Sequence, residues 1–216
     1  MRIPIIELAA QGTSGTRSRG NQSRTSILSA AARLFRQQGY AAVSLRNIAE
    51  EAGLKAGSLY HHFESKERII EEIINTGVQN VFDNVRQAVE ALPEEADHPT
   101  RIRTAITAHL EALHAHSDYT SASVRIFWQL PDKVRRTNIE VRLAYESYWQ
   151  SLLTAAREDG CIHSSKNLTI FLLFLLGALN ASLEWFNPEL GGVDSVAKDY
   201  ADVLLKGLIS GPGGDQ

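Results

Sequence analysis

The stretch from Ser44 to Lys66, SLRNIAEEAGLKAGSLYHHFESK, constrains this chain more than any other. It spells two short helices meeting at a tight turn. Leu45, Ile48, Ala49 and Ala52 recur at helical spacing behind Ser44, a residue suited to cap a helix N-terminus. Gly53 supplies the left-handed position that ends such a helix. A second helix is predicted from Lys55 to about His62. Leu59 and Phe63 give it one inward face and leave Lys55, Gly57, Ser58, Tyr60 and His61 pointing outward. A cation, hydroxyls and residues small enough for close approach are what a helix needs to enter a DNA major groove.

The charge is distributed to match. Between Arg17 and Arg68 stand nine basic and four acidic residues, a net of +5, while the whole 216-residue chain carries −3. Arg2 and Glu7 cancel, so everything beyond Arg68 carries −8. A basic head on an acidic body suits a DNA-binding domain joined to a part that does not touch DNA. Cys161 is the single cysteine, which excludes an intrachain disulfide and fits a reducing cytoplasm. It is expected to be a buried thiol rather than a redox sensor. The opening Ile3-Pro4-Ile5-Ile6 is too short for a secretory signal and is interrupted by Glu7.

Helical patterns run the length of the chain and no strand pattern occurs, so the fold class is all-α. Residues 1–22 are expected as a flexible arm, polar and Ser/Thr/Gly-rich from Gln11 to Ser23, either a disordered tail or a minor-groove reader through Arg17 and Arg19. Residues 23–68 form a three-helix head whose first helix spans Thr25 to Gln38 and whose small core depends on Phe35, Ile48, Leu59 and Phe63. Ser65 caps a long helix that runs to Pro93, roughly 40 Å at about 1.5 Å per residue, and links the head to the body as a lever. Within the body, residues 69–210, further helices are predicted over Pro99–His116, Tyr119–Leu130, Asp132–Glu158, Asn167–Trp185 and Val193–Ile209. Residues 211–216 are expected as a disordered tail. The run Ile170–Leu183 is apolar on every side, yet at fourteen residues with Asn180 inside it falls short of the ~20 of a membrane span. It is expected to be a buried helix, covered on more than one side, with no membrane partner.

Leu45-Arg46-Asn47-Ile48-Ala49, Ala52-Gly53-Leu54, Gly57-Ser58-Leu59-Tyr60-His61-His62-Phe63 and Ser65-Lys66-Glu67 together resemble the helix-turn-helix of TetR-type transcriptional regulators, in order and without a gap. Ile27-Leu28, Ala31, Leu34-Phe35 and Gly39-Tyr40 resemble that family's first helix and its terminating glycine. The resemblance implies a double-stranded DNA operator as partner, contacted through Ser44, Arg46, Lys55, Gly57, Ser58, Tyr60, His61 and Lys66, with Lys66 as a phosphate contact. It also implies a homodimer built by the last two helices of each protomer, reading a palindrome. Phe171, Phe174, Leu175 and Leu179 are the interface candidates.

The same resemblance implies an effector pocket in the body, and the aromatic residues Phe127, Trp128, Tyr145, Trp149 and Trp185 are the candidate walls. Trp185-Phe186-Asn187-Pro188, Gly191-Gly192 and Tyr200 resemble the end of TetR-type repressors that answer to CoA thioesters. Such an effector needs an apolar cavity and cations, for which Arg125, Lys133, Arg135, Arg136 and Arg142 are available. Glu184 and Asn187 stand where those relatives tend to carry basic residues, and Glu184 would repel a phosphate there. The effector is thus an acyl-CoA or an uncharged apolar molecule. A reading from another class keeps the fold but makes the protein a DNA-bound organiser with a protein partner and no effector. No Gly-rich phosphate loop, nucleophile elbow or paired-carboxylate site points to an enzyme, and no cofactor is expected. His61-His62 diverge by about 100° on a helix, and His109 with His116 is set aside as a metal pair.

Overall fold

The computed structural model describes residues 14–115, 118–137, 139–162, 167–187, 189 and 191–206, with side chains at all of these except 14–19, 137, 139 and 204–206. Ten α-helices and no β-strand occur among the described residues. The head comprises α1 (Ser14–Gln38), α2 (Leu45–Glu51) and α3 (Ala56–Tyr60). Then follow α4 (Lys66–Glu90), α5 (His98–His114), α6 (Asp118–Arg125), a 3-10 turn (Phe127–Gln129), α7 (Asp132–Thr137), α8 (Ile139–Glu158), α9 (Leu168–Trp185) and α10 (Val193–Lys206).

Local chemistry explains most of the boundaries. Ser44 and Asn47 cap α2 reciprocally: the Ser44 hydroxyl accepts from Asn47 N, and Asn47 Oδ1 accepts from Ser44 N at 2.9 Å. Gly53 closes the turn at φ +68°. Ser65, Asp97 and Asn167 cap α4, α5 and α9 with their side-chain oxygens. Two expectations need correction. The first helix starts at Ser14, so residues 14–22, expected in the arm, are its opening turns; residues 1–13, like 211–216, lie outside the described residues. The expected helix Tyr119–Leu130 gives way to a 3-10 turn after Arg125, and the expected helix Asp132–Glu158 is described over Asp132–Thr137 and Ile139–Glu158. Leu130 is extended at ψ 148° because Pro131 follows it. The tightened turn before it carries Ile126, Phe127 and Leu130 together into one core.

That core belongs to the head. Phe35, Ile48, Leu59 and Phe63 pack there with Ile69, Ile70, Ile73 and Ile74 of α4 and with Ala122, Ile126, Phe127, Leu130 and Val134 from the segment after α5. A second core holds Val81, Val85 and Val89 of α4 with α5, α8, α9 and α10 around Trp149 and Leu153. So α4 gives its first half to one core and its second half to the other. Where α6 crosses it, Gly77 leaves no room: a Cβ there would stand 2.5 Å from Tyr119 O and 2.8 Å from Ser123 Cβ.

A candidate DNA-binding face, effector cavity and subunit face

Seven of the eight candidate DNA contacts are exposed on α2, α3 and the residues flanking them. Ser44, Arg46, Lys55, Gly57, Ser58, Tyr60 and His61 are all exposed, while Leu59 between them is buried. Tyr60 leaves 58% of its surface to solvent. Arg46 pairs with Glu50 one turn on, at 2.9 Å, and both remain exposed. Lys55 makes no ion pair among the described residues.

Lys66 does different work from that expected. Its ammonium donates to the carbonyls of Tyr40 at 2.9 Å and Val43 at 2.8 Å, and sits 4.1 Å from the centre of the Tyr40 ring. It ties the loop between α1 and α2 to the start of α4, which leaves at most one N–H for a phosphate. The Tyr40 hydroxyl donates to Glu67 at 2.9 Å, and this bond helps hold that carboxyl below its usual range, after the larger effect of Glu67's own backbone N–H.

The head meets the segment after α5 along a polar seam. Arg36 pairs with Asp118 at 2.8 Å, Ser29 and Tyr119 share a hydroxyl contact at 3.3 Å, and Tyr40 N donates to Gln129 Oε1 at 3.4 Å. Gly39, at φ +78°, admits that same oxygen, since a Cβ would lie 2.8 Å from it.

Two residues before Gln129, the chain turns into a cavity of about 720 Å³ walled by α4, α5, α6, α8 and α9. Of the five candidate walls, Phe127, Trp128 and Tyr145 line it; Trp149 and Trp185 do not. Trp149 is wholly buried in the body core, and Trp185 stacks on Tyr200 at 5.8 Å between ring centres. Both corrections have one cause: an aromatic residue fills a core as readily as it lines a hole, and composition does not distinguish them. Sequence reasoning missed the polar lining residues His109 and Asn180 and the aliphatic Val78, Val81, Leu173 and Leu176.

One cation is committed to the cavity. Arg142 is half-buried beside it, its guanidinium 3.7 Å from the centre of the Phe127 ring, and its buried Nε has no hydrogen-bond partner among the described residues. Burial pulls its pKa down, only partly opposed by Glu146. At the rim, Arg125 pairs with Glu184 at 3.6 Å, so the carboxylate expected to repel a phosphate is balanced by its own counter-ion. Arg135 lies 5.7 Å from the exposed Trp128 ring, and Lys133 and Arg136 are close in sequence on the exposed side of α7.

The expected subunit helix is two-faced rather than wholly buried. Leu168, Leu172, Leu175, Leu179 and Ser182 of α9 enter the body core. Ile170, Leu173 and Phe174 leave 64%, 61% and 62% of their surfaces exposed, with Gly177 and Ala181 on the same side. Leu175 and Leu179 are therefore core residues and not interface candidates, Phe171 lies between the two faces, and Phe174 stands on the outer one. Length and composition alone would let α9 cross a membrane, yet its inner face is part of the packed core. His109 has both ring nitrogens engaged within the protein, and His116, set aside with it as a metal pair, lies outside the described residues. Cys161 is half-buried.

Residues 27–73 match the family described as "Bacterial regulatory proteins, tetR family", and residues 95–208 match "Tetracyclin repressor-like, C-terminal domain". The chain belongs to the TetR family of bacterial transcriptional regulators. It is 32% identical over 212 residues to the HTH-type transcriptional repressor KstR2 of Rhodococcus jostii (strain RHA1), covering 93% of this chain and 96% of that protein. The structure of the ketosteroid transcriptional regulator KstR2 of Mycobacterium tuberculosis superimposes with a TM-score of 0.72 at 24% identity, over 94% of this chain and 100% of the other. AibR in complex with isovaleryl coenzyme A and operator DNA gives a TM-score of 0.72 at 22% identity, over 87% and 98%. At those identities the two structures establish the fold, an N-terminal helix-turn-helix on a helical body.

Proposed function

We propose that this protein is a homodimeric, cytoplasmic TetR-type repressor that holds a palindromic operator and releases it on binding an acyl thioester or related apolar acid in the body cavity. The observation that carries the effector class is Arg142. An apolar cavity containing a cation with an unpartnered donor suits a ligand with a hydrocarbon body and an anionic or carbonyl-bearing head. The exposed Trp128 and the bases of α7 at the rim offer an adenine platform and phosphate partners for a CoA tail. KstR2, a repressor by name, is the relative that this reading follows. An open cavity also favours an effector over the DNA-bound organiser, whose body has no need of one.

The route from cavity to DNA is short. Phe127 and Trp128 line the cavity, and Gln129 next to them holds the Gly39–Tyr40 loop that Lys66 fastens to α4. A ligand that moves this turn shifts the recognition helix, and by linkage operator DNA must weaken the ligand by the same factor. Isothermal titration with fatty-acyl and steroid-derived CoA thioesters beside their free acids, followed by gel shifts on an operator selected from random DNA, tests the reading. Arg142→Met should weaken the tightest ligand roughly ten- to a hundredfold, the usual worth of a charge-assisted bond. Failure of every acid and thioester to bind, or binding without operator release, refutes it.

A further inference from the structure

Deep in the same cavity wall, three side chains from three helices form a polar chain. Tyr145 of α8 and His109 of α5 meet at 2.7 Å through the phenol and Nδ1, and His109 Nε2 meets Asn180 Oδ1 of α9 at 3.3 Å. Tyr145 and His109 are buried in the surrounding apolar core. Burial keeps the imidazole neutral at pH 7, so it has one donor and one acceptor to offer. The direction of the chain then follows from the phenol. Tyr145 has no other hydrogen-bond acceptor among the described residues, so its O–H must donate to His109 Nδ1. His109 Nε2–H in turn donates to Asn180 Oδ1. The reverse orientation would strand a buried hydroxyl proton. Asn180 is thereby held with its carbonyl turned to the protein, and its NH2 group, with no partner among the described residues, is left at the cavity surface.

From this geometry we infer that the effector carries a neutral hydrogen-bond acceptor, a ketone or other carbonyl oxygen, on its apolar body, and that Asn180 receives it. The inference rests on the cavity being the effector site. Tyr145 and His109 are positioning residues: they orient the amide, and of the three only Asn180 donates to the ligand. Arg142 is a separate anchor on α8, so the site distinguishes two polar groups on one apolar body, a charged or activated head and an uncharged acceptor.

The test uses decanoic acid and 9-oxodecanoic acid, each as the free acid and as the CoA thioester, titrated calorimetrically into the full chain. The oxo member of a pair should bind roughly tenfold more tightly than its parent, the worth of one neutral hydrogen bond to an otherwise unpaired donor. In Asn180→Leu, which keeps volume and removes the donor, the two members should bind alike. Oxo preference among the acids with no binding by thioesters would uphold the acceptor site while refuting the CoA reading. Thioesters that bind with no oxo preference would uphold the CoA reading and overturn the acceptor site, whereas failure of both members of every pair would overturn both. The wild-type comparison decides the matter even if the variant does not fold.

Discussion

The two cores of this molecule are built to opposite specifications. The head core is packed from local signals: Phe35, Ile48, Leu59 and Phe63 are buried in one cluster with α4, and the outward residues of α2 and α3 face solvent. The body core borders a hole of about 720 Å³ and keeps a charged group unsatisfied, with the buried Arg142 Nε lacking a partner among the described residues. The difference is functional. A reading head must present its side chains in one fixed arrangement, whereas a sensing body must gain stability from something it does not contain.

The outer and inner faces of α9 offer the sharpest break. Phe174→Glu places a charge on the exposed face and should raise the dimer dissociation constant roughly a thousandfold or more while leaving each protomer folded. Leu175→Glu, one residue on, places the charge in the core and should unfold the body. Sedimentation with circular dichroism separates the two outcomes, and a Phe174→Glu dimer as tight as wild type would remove α9 from the interface.

Adjacent residues in α3 make the equivalent test of the head. Leu59→Ala should cost about 2–5 kcal/mol of head stability, the usual penalty for truncating a buried leucine. Tyr60→Ala, exposed, should leave melting unchanged and abolish specific operator binding in gel shifts. Loss of melting temperature in both variants would mean that α3 has no free face.

Only the body should respond to mild acid through a buried imidazole. Burial lowers the His109 pKa from 6.5 to about 4, and nearby His114 adds a smaller push in the same direction. Tyr145 and Asn180 also face the ring and carry no charge there. A histidine whose folded pKa is depressed stabilises fully above its unfolded pKa, and that stability is lost as pH falls from about 6.5 towards 4, in total about 3 kcal/mol. Urea titrations at pH 7 and pH 5 should show the loss in wild type and a smaller one in His109→Gln.

Lys66 and Lys55 should differ least. Lys66→Ala removes two hydrogen bonds to backbone carbonyls and should lower head stability by about 1–2 kcal/mol, with little change in the salt dependence of DNA binding. Lys55→Ala should leave stability alone and reduce the salt slope by about one. An unchanged melting curve for Lys66→Ala would return it to the phosphate backbone.

The same contrast decides what could be read from the amino acids. In the head the signals are local: Ser44 caps, Gly53 turns, and Leu59 and Phe63 face inward because helical spacing leaves them no alternative. The helices of the body were legible too, but not their faces. An apolar run such as Ile170–Leu183 has no polar stripe to show which side is core, so Leu175 and Phe174 look alike in the sequence. The aromatic residues of the body posed the same problem. Trp149 and Tyr145 sit one helical turn apart on α8, and only their neighbours on α4, α5 and α9 decide which reaches the cavity. His109, Tyr145 and Asn180 come from three helices, and no spacing in the chain announces their meeting.

The seam between Gln129 and the Gly39–Tyr40 loop has a consequence for protein engineering. Regulators of this kind invite chimeras, in which the reader of one is grafted onto the sensor of another at the start of α4. Such a graft would leave Gln129 and Asp118 facing a foreign first helix, with no guarantee of a glycine to admit the amide oxygen or an arginine to pair with the acid. The exchangeable unit here is discontinuous: residues up to Ile74 travel with residues 118–134, and a biosensor cut anywhere else would have its input disconnected from its output.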